Sequence, residues 1–401
     1  SRNDCIFSII TCFRNADSYL EKSIESVISQ TFKEWELILI DDDSKDNSAE
    51  ICKRYLKDPR VFYYKQNTKK GGAYNRALGT SIAKGIYVGF VDGDDFIDND
   101  ALEKVFKKYQ SDNRIAMVYT GYKVDGVPQD WVQSYPDNGS IARGTDVISH
   151  FTTFRKKEYN ISFGFSAETA YSPDKQLISV MEEVTYPVFL DDPVYNYRIG
   201  IDAIANRLDY DKVITWAVER ESGVSIIIPY YLRKDNLLNC LKNLEAMYPS
   251  IPFEIIVVCY QQDINLDEFK KVKKIIHKDK ENFSLGKLRN VGAMNSFYRK
   301  LFFLDCDVLV PKDFLALVYS SVDYRKTYFP ICKDDVLNKE NEDKEGWRIY
   351  GYGLLGIMKR DLFWVGGWPE WYKWGGEDVL MLEKLKYNNC QIVREKMLNL
   401  I

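Results

Sequence analysis

Two pairs of aspartates are the residues of this chain best suited to carry chemistry. Asp92 and Asp94 form the first pair, Asp305 and Asp307 form the second, and each pair follows an apolar run. Acids spaced i, i+2 on an extended segment point the same way, so each pair can hold one divalent cation, Mn²⁺ or Mg²⁺. Such a cation keeps coordination sites open for phosphate oxygens. The spacing therefore predicts two sites with the geometry that a nucleotide diphosphate needs.

The acid pairs belong to a longer repeat. Further landmarks recur in the same order and with nearly the same offset: Ser8–Thr11 with Ser225–Pro229, Trp35–Ile40 with Phe253–Val258, and Asn75 with Asn290. Two copies of one domain, which differ by small loop insertions and deletions, explain this order. Two unrelated α/β domains are the alternative interpretation.

The length and composition agree with two domains. The chain has 401 residues, and we expect the domains over 1–221 and 222–401. The formal net charge of −4 offers no surplus for binding nucleic acid. The eight cysteines form no CxxC pair, and with only two histidines a zinc site or a Ser-His-Asp triad is disfavoured. We expect these cysteines to be reduced and to lie in the cores, which favours the cytosol.

Alternating strand and helix patterns predict a doubly wound α/β fold in each half. The first copy begins with a strand over 5–12, a helix over 16–30 and a strand over 36–40. The carboxyl ends of parallel strands meet at one edge of a sheet, where ligands bind. We therefore expect the acidic turn after residue 40 at this edge. From 123 to 166 the pattern is too broken to assign.

The opening strand Ser8–Thr11, the acidic turn Ile40–Ser44 and the acid pair at a strand end together resemble the inverting, GT-A-fold glycosyltransferases of family 2. The resemblance covers nearly the whole chain, once per half. The tandem arrangement is similar to that of bacterial capsule polymerases of the chondroitin synthase and hyaluronan synthase type. It implies two tandem GT-A, Rossmann-like domains that transfer sugars from UDP-sugars to a growing oligosaccharide or glycolipid. It also implies a divalent cation, Mn²⁺ or Mg²⁺, and inversion at the anomeric carbon.

In the first copy, the resemblance implies a donor site made of five residues. They are Asp41 and Asp42 at the uracil, Asn75 and Arg76 after a glycine-bearing loop, and Asp92 with its cation at the diphosphate. A turn or a helix cap is the alternative role for the two acids of the turn and for the loop.

In family members, an acid at the start of a later helix acts as the general base. Asp174 is the best match in the first copy, because it lies about two dozen residues before the segment Tyr195–Arg198. Glu168 is its competitor, since the usual Glu-Asp pair is missing from this half.

The second copy departs from the family at the base-reading turn, where Val258–Gln262 holds no aspartate. Its implied donor residues are Lys287, Arg289, Asn290 and Asp305, and its metal ligands are Asp305 and Asp307. The string Trp374-Gly375-Gly376-Glu377-Asp378 resembles a segment of family members that handle N-acetylhexosamines. It implies Asp378 as the general base and Glu377 as an acceptor-binding residue, or the reverse. A helix start capped by acids is the alternative.

Three alternative interpretations stay open. In the first, only one half is active and the other holds the acceptor or acts as a scaffold. In the second, the chain binds carbohydrate or nucleotide without catalysis, and in the third it is a nucleotidyltransferase. No apolar run reaches about 18 residues, so we expect a cytoplasmic protein. The start at Ser1 without a methionine indicates a piece of a longer protein, whose removed segments would provide peripheral contact with the inner face of the membrane.

Overall fold

The computed structural model describes residues 5–165, 172–198, 207–247, 249–278, 282–333, 353–371 and 376–395. The chain divides into two compact units, Ser1–Trp216 and Ala217–Ile401. The boundary expected from the sequence, after residue 221, lies a few residues further along the chain.

The first unit alternates strands and helices. In chain order they are β1 (Phe7–Phe13), α1 (Leu20–Ile28), β2 (Trp35–Asp41), α2 (Ser48–Tyr55), β3 (Val61–Lys65), α3 (Gly72–Ile82), β4 (Tyr87–Phe90), β5 (Phe96–Ile97), α4 (Ala101–Ser111), β6 (Met117–Val124), β7 (Val127–Pro128), β8 (Thr152–Arg155), α5 (Lys156–Ile161), α6 (Pro173–Met181), β9 (Val188–Tyr197) and α7 (Arg207–Glu221). The division between the units falls within α7.

The described strands of the first unit form one sheet in the order β3-β2-β1-β4-β8-β6-β9-β5, with β7 paired to β6. Strands β3, β2, β1 and β4 are parallel, and β8 runs antiparallel to β4. Every residue of β2 is buried, as expected for a parallel strand covered by helices on both faces. Because these four strands are parallel, β1, β2 and β4 end at the same edge of the sheet.

The second unit repeats this scheme. Its elements are β10 (Val224–Tyr230), α8 (Lys234–Glu245), β11 (Phe253–Tyr260), β12 (Val272–His277), α9 (Leu285–Met294), β13 (Lys300–Phe303), α10 (Phe314–Ser321), β14 (Lys326–Tyr328), β15 (Leu355–Met358), α11 (Lys359–Trp364), α12 (Glu377–Tyr387) and β16 (Gln391–Val393). The described sheet has the order β12-β11-β10-β13-β15-β14-β16, parallel through β13 and antiparallel from β13 to β15. Both sheets therefore open with the same parallel core and continue with an antiparallel strand.

The segment from 123 to 166, left unassigned by the sequence pattern, contains β7, β8, α5 and a 3₁₀ turn over Ile141–Arg143. Strand β8 lies between β4 and β6 and runs antiparallel to both. These elements span two to six residues each, which is too short for a periodic pattern to show.

Two findings bear on the expected environment of the protein. All eight cysteines lie within the described residues and are free thiols, and five of them are buried. Within the part of the chain that the structure describes, no helix is both long and apolar enough to cross a membrane.

Helix α3 lies close to β1 because it carries a glycine at the contact. A Cβ atom on Gly79 would lie 2.6 Å from Cγ2 of the buried Ile10. The second unit repeats this contact, where a Cβ on Gly292 of α9 would lie 2.3 Å from Cγ2 of Ile227. Since each helix also supplies side chains to the site described below, these glycines set the distance between the site and the sheet.

We predict that Gly79→Ala destabilises the protein, although alanine in a helix interior is more favourable than glycine by about 1 kcal/mol. The added methyl group overpacks a buried contact, and such insertions cost about 1 to 3 kcal/mol. Urea unfolding followed by circular dichroism measures the change. Ser81→Ala, at an exposed position of the same helix, should change stability by less than about 0.5 kcal/mol. Equal stability of the two variants would contradict the close packing.

Candidate active site

The acidic turn after β2 is held by hydrogen bonds within the first unit. Asp41 is fully buried and accepts hydrogen bonds from the backbone N–H of Ser44 at 2.7 Å and from the Tyr63 hydroxyl at 2.8 Å. Asp42 accepts from the backbone N–H groups of Lys70 at 2.6 Å and Gly71 at 3.0 Å. The turn thereby holds the glycine-bearing loop that leads into α3. Asp41 has a structural role in this arrangement, and Asp42 joins two segments of the sheet edge.

The first acid pair lies in a turn and not on an extended strand, so this detail of the sequence interpretation is wrong. Strand β4 ends at Phe90, and the backbone N–H of Asp95 donates to the carbonyl of Asp92 at 3.1 Å, which closes a turn over these residues. The second pair is alike, because Val308 N–H donates to the carbonyl of Asp305 at 3.2 Å after β13 ends. A tight turn after the strand reorients the side chains, which apolar patterning does not reveal.

The charge of the Asp94 carboxylate is offset only in part by Arg198 and His150. Burial and the neighbouring Asp92 raise the pKa of Asp94 above its usual range. Burial also raises the pKa of Asp95 to about 7, against hydrogen bonds from the Arg198 backbone N–H at 2.7 Å and the Tyr195 hydroxyl at 2.8 Å. Asp95 therefore joins the acid turn to β9, while Asp94 remains the acid best placed to bind a cation.

A buried arginine bridges two acids in the first unit. The guanidinium of Arg76, on α3, donates to Asp92 at 2.8 Å and to Asp174 at the start of α6. Its side chain is 7% exposed, whereas that of Asp174 is 48% exposed. Enclosure by protein acts to raise the pKa of Asp174, but the charges of Arg76 and His150 hold it below its usual range. Asp174 is therefore ionised at neutral pH, but its lowered pKa makes it a weaker proton acceptor than a free carboxylate.

The second unit contains the same bridge. Arg289, on α9, donates to Asp305 at 3.0 Å and lies 3.7 Å from Glu377, the first residue of α12. The Arg289 side chain is 1% exposed and that of Glu377 is 11% exposed. Asp378 is more exposed than Glu377, and its carboxylate accepts a hydrogen bond from the Val379 backbone N–H at 2.8 Å. By its contact with the arginine, Glu377 corresponds to Asp174.

The two asparagines of the repeat differ in their partners. The Asn290 amide donates to the Trp368 carbonyl at 3.0 Å and to Glu370 at 2.7 Å, and it accepts from the Trp368 N–H at 2.8 Å. Asn75 is 1% exposed, and neither atom of its amide has a hydrogen-bond partner among the described residues. Asn290 thus has a structural role, while Asn75 keeps donor and acceptor capacity for a ligand.

The remaining predicted donor residue, Lys287, lies half-buried in the first turn of α9, where its backbone N–H donates to Ser284 at 3.2 Å. Glu168 and the residues Trp374 and Gly375 lie outside the described residues. The other predicted site residues of each unit are brought to one edge of that unit's sheet.

The acid pairs fit a divalent cation by the chemistry of their ligands. Carboxylate oxygens are ligands that suit Mn²⁺ and Mg²⁺, and each pair supplies two such side chains. In the described part of the chain, no group of three or more His, Cys, Asp or Glu side chains could hold a metal ion.

The acid pair of the second unit differs in one respect. Asp307 forms an ion pair with Arg233, whose side chain is 57% exposed. Among the described residues, no lysine or arginine side chain makes such a pair with Asp94. A cleft of about 120 Å³ lies here, and its lining includes Tyr231, Phe283 and both aspartates of the pair.

Sequence reasoning did not identify several residues close to these acids. His150 stacks on Tyr195 with ring centroids 5.0 Å apart, and its charge acts on both Asp94 and Asp174. In the second unit, Tyr231 stacks on Phe283 at 4.9 Å. The scarcity of histidine, with two in the chain, was the available signal for His150. The tyrosines carry no such signal because tyrosine is common throughout.

The sequence profile of glycosyl transferase family 2 matches residues 8–175 and 225–362, which is well over half of the chain. The match falls once on each unit and includes both acid pairs.

Among curated proteins, glycosyltransferase GlyG of Streptococcus pneumoniae is 33% identical over 121 residues, which cover 30% of this chain and 40% of GlyG. Chondroitin synthase of Pasteurella multocida is 27% identical over 224 residues, covering 52% of this chain and 22% of the synthase. The chain spans less than half the length of these relatives. The crystal structure of S. aureus TarS in complex with UDP superposes with a TM-score of 0.43 and 21% identity, over 53% of this chain and 64% of TarS.

We predict that Arg289→Met lowers the free energy of unfolding by about 2 kcal/mol or more, because hydrogen bonds to charged groups contribute about 1.5 to 3 kcal/mol. Arg233→Met should lower it by less than about 1 kcal/mol, since an exposed ion pair contributes little. Thermal unfolding of both variants by calorimetry measures the difference. Similar small losses in the two variants would contradict a stabilising role for the buried bridge.

Proposed function

Because the chain belongs to glycosyl transferase family 2, we propose that it transfers sugars from UDP-sugars to a growing glycan, with a divalent cation and inversion at the anomeric carbon. Each unit has its own donor site in this proposal. The chondroitin synthase similarity supports a surface polysaccharide or a related glycan as the product.

One observation carries the proposal. In each unit, a buried arginine on the helix after the glycine-bearing loop contacts both an acid of the aspartate pair and an acid at the start of a later helix. The pair is the group that the reaction requires at the diphosphate, and the helix start is where it requires a base for the acceptor hydroxyl. That base is Asp174 in the first unit and, in the second, Asp378, which directly follows Glu377. The connection of the pair to the helix start through one side chain fixes the distance between them.

The chemistry divides between these groups. The acid at the start of the later helix, Asp174 in the first unit and Asp378 in the second, removes the proton of the acceptor hydroxyl, the freed oxygen attacks the anomeric carbon, and the bond from that carbon to the diphosphate breaks as UDP leaves. Inversion follows from this single displacement and needs no protein nucleophile. A cation held by Asp92 and Asp94, or by Asp305 and Asp307, would offset the charge on the departing diphosphate.

The two units would read the nucleobase differently. Asp42 already binds two backbone N–H groups, and each of its oxygens keeps a lone pair for the imide N–H of uracil. The second unit has no aspartate there. Its cleft instead contains the exposed face of Tyr231, stacked on Phe283, beside Asp305 and Asp307. An aromatic face binds any base by stacking, so we propose looser selection of the nucleotide in this unit.

A specific observation favours the alternative in which one unit is inactive. Since Asp174 corresponds to Glu377 by its arginine contact, the position of Asp378 in the first unit is taken by Lys175. If Asp378 is the base, the first unit relies on Asp174 alone for this role. The string that contains Asp378 supports an N-acetylhexosamine as a substrate of the second unit.

The assignment of donor sites predicts that Asp94→Ala and Asp307→Ala each abolish the use of a different sugar. Removing one acid of a pair removes a ligand of the cation at only one diphosphate. UDP release with Mn²⁺, across a panel of UDP-sugars and with EDTA as the metal-free arm, measures this. Asp267→Ala, at an exposed acid outside both pairs, is the control.

If one of these variants keeps all activity while the other loses all turnover, only one unit is an enzyme. If the wild type releases no UDP from any UDP-sugar and shows no Mn²⁺-dependent UDP binding, the proposed function is wrong.

The roles of the paired acids on α12 lead to a second prediction. Asp378→Asn should lower kcat of the second unit by about 100-fold or more, because it removes the base. Glu377→Gln keeps the volume of a buried side chain and should mainly raise KM for the acceptor. Initial rates over a range of acceptor concentrations separate the two effects. The opposite ranking would assign the base to Glu377.

A further inference from the structure

A cleft of about 190 Å³ opens beside the helix acid of the first unit. Its apolar part comprises Ile148, Leu177, Ile178 and the exposed indole of Trp131, and its polar part comprises His150 and Asp174. Such a mixture of apolar surface and a few convergent polar groups is typical of small-molecule sites. The cleft is ample for one sugar ring.

The cleft lies next to the groups that would carry the reaction. His150 lines the cleft together with Asp174 and stacks on Tyr195, whose hydroxyl donates to Asp95 of the acid turn at 2.8 Å. Asp174 is itself part of the lining, and its side chain is about half exposed. A hydroxyl group in this cleft would therefore meet the helix acid directly.

Trp131 is exposed yet fixed in orientation. The residue is 42% exposed, and its indole N–H donates to the Tyr122 hydroxyl at 3.0 Å. Tyr122 packs edge-on against both Trp131 and Tyr197, with ring centroids 5.9 Å and 5.8 Å apart. Tyr197 in turn stacks on His150 at 6.1 Å. This row of rings supports the indole, which lines the cleft.

We propose that this cleft binds the terminal pyranose of the acceptor glycan, with its apolar ring face on Trp131 and a hydroxyl on Asp174. The inference rests on the proposed function, since it names the acceptor site of the first unit. A pyranose suits the site because it presents C–H groups on one face and hydroxyls at its rim. A rigid aromatic face buries such a surface at little entropic cost.

The test measures the KM for the acceptor while the donor is the UDP-sugar whose use Asp94→Ala abolishes. The probes are methyl glycosides of hexoses, hexuronates and N-acetylhexosamines, and disaccharides made from them. Trp131→Ala should raise the acceptor KM by about tenfold, which corresponds to the loss of one aromatic stacking contact. The KM for the UDP-sugar and the rate of its hydrolysis without acceptor should stay within twofold. Trp131→Phe, which keeps a ring, should restore most of the acceptor affinity.

Two measurements keep the outcome unambiguous. Tyr64→Ala removes an aromatic side chain of similar exposure from the same unit and should leave the acceptor KM unchanged. Circular dichroism checks that each variant is folded, and transfer by the second unit is an internal control. If the wild type transfers sugar and both Trp131 variants keep the wild-type acceptor KM, the inference is wrong while the proposed function stands. If the wild type transfers no sugar, both fail.

Discussion

The ion pairs of one buried arginine in each unit hold the site together. A guanidinium taken out of water is costly unless protein oxygens accept its hydrogen bonds. Arg76 donates to two acids, whereas Arg289 donates to Asp305 and to the Gly353 carbonyl and lies 3.7 Å from Glu377. The acids come from elements far apart in sequence, a turn after a strand and the start of a later helix. Satisfying the arginine therefore brings the diphosphate end and the acceptor end of the site together. Without the arginine, the two acids of each unit would lose the side chain that links them.

The repeat shows which parts of the site tolerate change. Both units keep the parallel strand order, the glycine at the helix contact and the arginine bridge. They differ at the nucleobase turn and at the partners of the repeated asparagine. The features that the two copies share are fixed by packing and by the hydrogen bonds that a buried arginine requires. In the proposed function, the turn that differs would face the nucleobase, where a change alters specificity without unfolding the protein.

The sequence was informative where the structure depends on local pattern. Strands β1 and β2 lie within two residues of the segments 5–12 and 36–40 that the apolar pattern predicts, because short-range periodicity determines them. The acid pairs were identifiable from their spacing, although the turn that carries them was not. The bridge between Arg76 and Asp174 joins residues about a hundred positions apart, and no local pattern specifies such a contact. The same holds for Trp131 and His150, whose roles depend on antiparallel strands too short to show a period.

The remaining difference between the units concerns charge. Burial leaves Asp94 with a raised pKa, while Asp307 is paired with the exposed Arg233. An exposed ion pair contributes only about 0 to 1 kcal/mol, so it competes with a cation without excluding it. When a cation and a diphosphate bind, Arg233 would leave Asp307 and its guanidinium would be free to bind a phosphate oxygen. The second unit would thus exchange one partner of an arginine for another, whereas the first would gain compensation for an acid whose charge Arg198 and His150 offset only in part. On this argument, cation binding relieves more electrostatic strain in the first unit than in the second.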